Sequence, residues 1–428
     1  MKKIYLAIIA IAFSFIIPDT SNAQCGNGRF HSFVFATHKL TSNITYGSNV
    51  TISNSTQALK LDVYEPQGDV AVTRPLIIIA HGGSFVSGSK TGSDVVPLCK
   101  DYAKMGYVVA SIEYRLGMTR LPFPGPDSTD AGPAVIRGMH DGKAAVRFFR
   151  KDARINGNTY KIDTNNIYFV GVSAGGFIGL HMAYLDELQE FPTFIDTVAQ
   201  KGVKGGIEGL SGNPGYSSEV KAYVNLCGAI GDTAWMKPGD EPVLNMHGNQ
   251  DGTVPYGTAT IYLGSTWPIL AVDGSHSIAK KAYQIGLTNC FTTYWGQDHI
   301  PHANGGVYYD TTLVITRNFL EHFVCGVSLE CNYTTKVGSA VGINELVDLN
   351  KIVVYPNPTN STTSIDLSAF NAQPVSIELM DALGRKINRV SSITSSTFQV
   401  SKGDLPPGVY FINIINSDKN YHKKIIFE

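Results

Sequence analysis

The chain has 428 residues, long enough for two domains, and its 43% hydrophobic and 16% charged residues suit large folded cores and exclude a disordered chain. Lys and Arg number 34 against 35 Asp and Glu, a net charge of −1, which argues against nucleic acid as a partner because phosphate binding needs surplus cations. The composition also excludes a fibrous, a collagenous and a small disulfide-scaffold protein. The first segment reads as an export signal: Met1-Lys2-Lys3 is basic, residues 4–17 (IYLAIIAIAFSFII) are almost wholly apolar, and Pro18 ends the run. Ser21 and Ala23 supply the small residues of a cleavage site, so residues 1–23 are expected to be removed as a signal peptide. Gln24, neither small nor apolar, argues against a lipoprotein signal at Cys25. The apolar run is short of the ~20 residues a membrane span needs. No other segment is long and apolar enough, so no transmembrane segment is expected in the mature chain.

Export permits disulfides among Cys25, Cys99, Cys227, Cys290, Cys325 and Cys331. Cys325 and Cys331 are near enough in sequence to close a small loop, and Cys227, in AYVNLC, reads as a buried strand residue. No CxxC and no Cys/His cluster at zinc spacing occurs, so no metal or other cofactor is expected.

Residues 30–64 alternate around Asn, Ser and Gly turns and read as β structure. From residue 75 the pattern changes to short apolar runs: LIIIA (76–80), YVVASIEY (107–114), IYFVGV (167–172), AYVNLC (222–227), PVLNMHG (242–248) and FTTYWG (291–296). Such runs suit strands buried on both faces of a parallel sheet. Helical spacing fills the intervals at 93–105, 141–155, 174–188 and 276–286, while 115–140 and 189–220 read as loops that shape a pocket. The expectation is an α/β domain with a doubly wound, mostly parallel sheet over residues 25–330. Residues 331–350 carry no clear period and read as a linker. Residues 351–428 turn to strand candidates separated by turn clusters, a small all-β sandwich without clustered acids, bases or nucleophiles.

Gly171-Val172-Ser173-Ala174-Gly175 follows the apolar run NIYFVGV and precedes the helical run GGFIGLHMAYL. A serine on a sharp strand-to-helix turn projects its hydroxyl from the sheet edge above the positive end of the helix. The hydroxyl needs a base, and the base needs an acid to orient it. Asp251 and His299 each stand one loop beyond a predicted strand, and the order Ser173, Asp251, His299 is the one found on this kind of sheet. His302 is the alternative base and Asp298 a weaker rival acid. After LIIIA comes His81-Gly82-Gly83-Ser84-Phe85, where the N–H groups of Gly82 and Gly83, with that of Ala174, would form an oxyanion hole. His81, His181 and His247 read as packing residues.

AHGGSF, SIEYRL, DGKAAVRFFRKDA, GVSAGG, HGNQDGTVPY and GQDHIPH, in this order across residues 58–325, resemble the successive blocks of α/β-hydrolase esterases. The nearest groups are carboxylesterase and hormone-sensitive-lipase-like enzymes, including bacterial feruloyl and acetyl-xylan esterases. The resemblance implies metal-free ester hydrolysis through an acyl-enzyme. It points to acetyl or feruloyl esters of plant polysaccharide, with small lipid and polyester substrates left open. Ser84 departs from the pattern, which often has a third glycine there. Over residues 351–428, VVYPNPTN, DALGRK, LPPGVYFI and the final KKIIF resemble the C-terminal sorting domain of the Por (type IX) secretion system. That implies the outer-membrane secretion machinery as a partner and a secreted or surface-held product. Two other readings stay open: a serine peptidase of the prolyl-oligopeptidase type, and a non-catalytic surface-binding protein on a hydrolase scaffold. Ala174 beside the nucleophile and the lack of a propeller-like repeat weigh against the first, and the full set of reactive groups against the second.

Overall fold

A computed structural model describes residues 25–118, 125–263, 267–329, 335–337, 352–370, 374–382, 384–416 and 419–428. The expected signal peptide and almost all of the expected linker lie outside the described residues. The chain divides into two compact units, Met1–Gly338 and Ser339–Glu428.

The first unit opens with an antiparallel pair, β1 (His38–Val50) and β2 (Thr56–Pro66). It continues as β3 (Arg74–Ala80), α1 (Val96–Met105), β4 (Val108–Ile112), α2 (Ser128–Ile155), β5 (Ile162–Val172) and α3 (Ala174–Tyr184). Then come β6 (Ala222–Leu226), β7 (Ala229–Ile230), β8 (Val243–Gly248), β9 (Thr258–Leu263), β10 (Trp267–Gly274) and α4 (Ser275–Gln284). β11 (Asn289–Tyr294), α5 (Gly306–Cys325) and β12 (Thr335–Val337) complete it. Among the described residues, nine strands form one sheet in the order β1-β2-β4-β3-β5-β6-β8-β11-β12, parallel from β4 to β12. The six apolar runs occupy the parallel strands, as expected for strands buried on both faces. β7, β10 and β9 form a small separate sheet.

Every residue of β3 is buried, and its alternate side chains feed different cores. Leu76, Ile78 and Ala80 join a cluster with residues of α2, α3 and α4; Ile77 and Ile79 join another with residues of α1 and α5. A strand packed on both faces has no polar face to display, which explains runs without alternation. The chain leaves β3 through α1 to β4 on one side, then crosses through α2 to β5 on the other. The loops after β3 and β5 therefore part at a topological switch point, where a crevice opens at the carboxyl ends of the strands.

Three expectations need correction. Residues 128–140, expected in a loop for their Gly and Pro content, are the first half of α2. Asp127 caps the helix by accepting from the Thr129 N–H, and Pro133 sits inside it. Thr335–Val337, expected in the linker, pairs parallel with β11. Cys325 bonds to Cys25 rather than to Cys331 and so ties the end of α5 to the start of the described chain.

Two of the sequence blocks meet in the core. Arg115 and Asp141 are fully buried, and Asp141 accepts from the Arg115 backbone N–H, the Arg115 Nε–H and the Ser211 hydroxyl at 2.5–3.0 Å. The guanidinium also donates to the carbonyls of Val50, Gly202 and Arg137, so one side chain gathers four distant segments. Removing one partner strands the other charge in the interior. Asp141→Ala is expected to cost about 3–5 kcal/mol of unfolding free energy, read from urea denaturation.

The second unit holds β13 (Val354–Tyr355), β14 (Thr362–Asp366), β15 (Val375–Asp381), β16 (Lys386–Ile393), β17 (Thr397–Ser401), β18 (Gly408–Asn416) and β19 (Lys419–Phe427). Antiparallel sheets β13-β14-β17 and β16-β15-β18-β19 share one core. Val375, Ile377 and Leu379 of β15 and Tyr410, Ile412 and Ile414 of β18 enter it at alternate positions, the period of a half-buried strand.

Candidate active site

Ser173 occupies the single residue between β5 and α3, with φ 52° and ψ −113°. A non-glycine residue held there is strained, and the surroundings must impose the conformation. Two glycines supply the room. A Cβ on Gly171 would sit 2.0 Å from the Gly175 carbonyl oxygen, and one on Gly175 would sit 2.1 Å from the Ala80 carbonyl oxygen. The Ser173 N–H donates to Leu226 at 2.8 Å, while its carbonyl accepts from Gly176 and Phe177 to open α3. The strand, the turn and the helix start are thereby locked together beneath the hydroxyl.

Ser173 Oγ lies 2.8 Å from His299 Nε2, and His299 Nδ1 lies 2.6 Å from Asp251 Oδ2. The three side chains come from the loops after β5, β8 and β11. The Asp251 carboxylate is wholly buried, while the His299 ring keeps 16% exposure, enough to face an entering molecule. Asp251 Oδ1 accepts from the Thr253 and Val254 N–H groups at 2.8 Å each. Burial opposes ionisation of Asp251, but hydrogen bonds from His247 and His299 outweigh it and hold the carboxyl well below the usual carboxylate range. Both sequence-derived partners of Ser173 are thus in contact with it or with each other.

The rivals take other places. The buried His302 ring directs Nε2 to the Asp94 carbonyl oxygen at 3.3 Å, and burial lowers its pKa to about 4. Asp298 Oδ1 accepts from the Gly252 N–H at 2.9 Å and the His299 N–H at 2.7 Å, so it joins the acid's loop to the base's loop. His81 stacks on Tyr114 and His181 bonds the Phe177 carbonyl, both as packing residues.

The expected oxyanion donors need one correction. The Gly82 N–H donates to Asp94 Oδ2 at 2.7 Å, so it is engaged within the protein. Among the described residues the N–H groups of Gly83 and Ala174 have no such acceptor. Ser84, where a third glycine is often found, takes φ 54°, in the region that favours glycine.

His247, a packing residue by sequence, also reaches the acid. Its Nε2 lies 3.0 Å from Asp251 Oδ2 and 3.1 Å from the Val254 carbonyl oxygen, and its Nδ1 lies 2.7 Å from Ser275 Oγ. The available signal was Asn245 and His247 on one face of an apolar strand, because buried polar groups need partners.

Two groups among the described residues bring three metal-type donors within 4.8 Å: Cys227, Asp251 and His299, and Asp186, Glu187 and Glu190. In the first, Asp251 is already bound to His299, and burial with the Asp251 charge pushes the Cys227 thiol up to about 12. In the second, Lys237 Nζ lies 2.7–2.9 Å from all three carboxylates. Neither group is an open ligand set.

Residues 61–208 match the family model BD-FAE, and residues 353–428 match the model described as Secretion system C-terminal sorting domain. An endo-acting ulvan lyase of Formosa agariphila is 35% identical over 98 residues, covering 21% of this chain and 18% of that protein. The chain therefore spans less than a fifth of that curated relative's length. Among solved structures, Thermogutta terrifontis esterase 2 phosphorylated by paraoxon is similar at 20% identity and TM-score 0.47, covering 68% of this chain and 96% of that one. Its apo form gives 19% identity and TM-score 0.47, covering 69% and 98%.

Proposed function

We propose that this chain, which joins a BD-FAE domain of the esterase type to a secretion sorting domain, is an exported hydrolase of carboxylic esters. The observation that carries the reading is the continuous contact from Ser173 Oγ through the His299 ring to Asp251. Ser173 Oγ attacks the ester carbonyl carbon as its proton passes to His299 Nε2. Asp251 accepts the Nδ1–H throughout and stabilises the imidazolium. The carbonyl oxygen gains negative charge and takes hydrogen bonds from the Gly83 and Ala174 N–H groups, aided by the positive end of α3. Collapse returns the proton to the departing alkoxide, releases the alcohol and leaves an acyl group on Ser173. Water then repeats the sequence and frees the acid.

In this reading residues 1–23 direct export, and the catalytic domain runs from residue 25 through the edge strand Thr335–Val337, followed by a linker that leads to the sorting domain. The C-terminal sorting domain assigns the protein to type IX secretion and to the cell surface or the surrounding medium. Such a location places the site among extracellular polymers, and acetyl or feruloyl esters of plant polysaccharide are the substrates proposed. The test is a panel of acetylated xylan, methyl ferulate and p-nitrophenyl esters of increasing acyl length. The expected outcome is a p-nitrophenolate burst stoichiometric with enzyme from the acetate ester, and steady release of acetate or ferulate from the natural-type substrates. A preference for long acyl chains, with neither xylan acetate nor ferulate released, would overturn the substrate assignment.

A further inference from the structure

Behind the acid lies a chain of buried polar side chains that the reaction above does not use. Asn225, Asn245, His247 and Ser275 are all 0–1% exposed and lie among the strands of the sheet and the first residue of α4. Burying four polar side chains in an apolar interior is costly unless their hydrogen bonds serve one another. Here they do, apart from the Asn245 Nδ2 group, which finds no partner among the described residues, and the bonds have a direction. The Asn225 amide donates to Ser275 Oγ at 3.1 Å and to Asn245 Oδ1 at 2.9 Å, while Asn225 Oδ1 accepts from the Gly228 N–H at 2.9 Å. Ser275 Oγ lies 2.7 Å from His247 Nδ1. His247 Nε2 faces two oxygens that can only accept, Asp251 Oδ2 and the Val254 carbonyl. Those partners assign the ring proton to Nε2, so Nδ1 accepts from the Ser275 hydroxyl.

We infer that His247 is a positioning residue for the Ser173–His299–Asp251 relay. Its Nε2–H holds Asp251 Oδ2 in the plane where His299 Nδ1 can also reach it. The inference rests on the serine-hydrolase reading given above. Asp251 then receives four donors: two backbone N–H groups at Oδ1 and two imidazole N–H groups at Oδ2. The carboxylate cannot rotate without breaking several of them. The chain through Ser275 and Asn225 also reaches the helix that follows the nucleophile. A Cβ on Gly176 would lie 2.4 Å from Asn225 Oδ1, so α3 sits directly on this polar core. One network thus supports both the acid and the helix beneath the serine.

Two polar replacements separate positioning from packing. In His247→Gln the side-chain amide stands where Nε2 stood and can donate to both Asp251 and Val254. In His247→Asn the amide reaches only the position of Nδ1, keeping Ser275 and losing Asp251. Wild type, Ser173→Ala and both variants are assayed on p-nitrophenyl acetate in the full chain. His247→Asn is expected to lower kcat about tenfold with KM within about twofold, and His247→Gln to recover most of the loss. Equal kcat for Asn and Gln, or a loss confined to KM, overturns the positioning role. Turnover that survives in Ser173→Ala would instead overturn the serine-hydrolase reading itself, so the two failures are distinguishable.

Discussion

Ser173→Ala is expected to lower kcat/KM for p-nitrophenyl acetate by at least about a thousandfold while leaving the thermal midpoint almost unchanged. The hydroxyl is the only atom removed, and the Cβ already fits between the strand end and the helix. The backbone strain at φ 52° is carried by the Leu226, Gly176 and Phe177 hydrogen bonds, none of which involves Oγ. Binding and the oxyanion donors remain, so residual catalysis above the uncatalysed rate is expected, but no acyl group can be stored on the protein. The measurement is steady-state turnover together with mass spectrometry after quenching, which should show an acetylated Ser173 peptide in wild type alone. An equally active variant would show that the contact from Ser173 to His299 has no role in turnover. A wild type that turns over no ester would instead favour the non-catalytic scaffold.

The candidate site was legible because each of its groups follows a strand end, and strand ends are marked by composition. Val172 closes an apolar run and Ser173 follows at once; Asp251 and His299 stand in the first loop after theirs. The parallel sheet was legible for the same reason, since β3 and β5 have to be apolar on both faces. What escaped depended on partners far away in sequence. Pro133 and its neighbouring glycines suggest a loop, yet buried contacts on α2, including Ala134, Ile136 and Met139, carry the helix through them. The Gly82 N–H reads as a free donor until Asp94, from the loop leading into α1, is seen to occupy it. The pairing of Cys25 with Cys325 joins residues 300 apart, where spacing has no force. His247 reads as one residue of an apolar strand; its role appears only when the loop after β8 turns Asp251 back over it.

Asp251→Asn should also be severely damaging, with kcat reduced about ten-thousandfold, because an amide cannot satisfy both sides of this carboxylate. Oδ1 faces the Thr253 and Val254 N–H groups, and Oδ2 faces His299 and His247. Turning the amide NH2 toward Oδ1 sets it against two backbone donors. All three N–H groups would then lack an acceptor in a buried site, at roughly 1–3 kcal/mol for each unsatisfied group. Turning it toward Oδ2 spares the two backbone donors and leaves the His247 Nε2–H to the Val254 carbonyl, but presents a donor to His299 Nδ1. The ring must then accept at Nδ1 and carry its proton on Nε2, so it offers Ser173 a hydrogen where a lone pair is needed. The second arrangement is the cheaper one, which makes the wrong tautomer the expected ground state. KM should change little, since Asp251 touches no substrate in the mechanism, and the burst of p-nitrophenolate should slow in step with kcat. Asp251→Glu would not restore the rate, because the longer chain cannot keep Oδ1 on the two N–H groups of its own loop. A burst at wild-type speed in Asp251→Asn would mean that His299 keeps its proton on Nδ1 without the carboxylate, and that Asp251 is not the orienting acid.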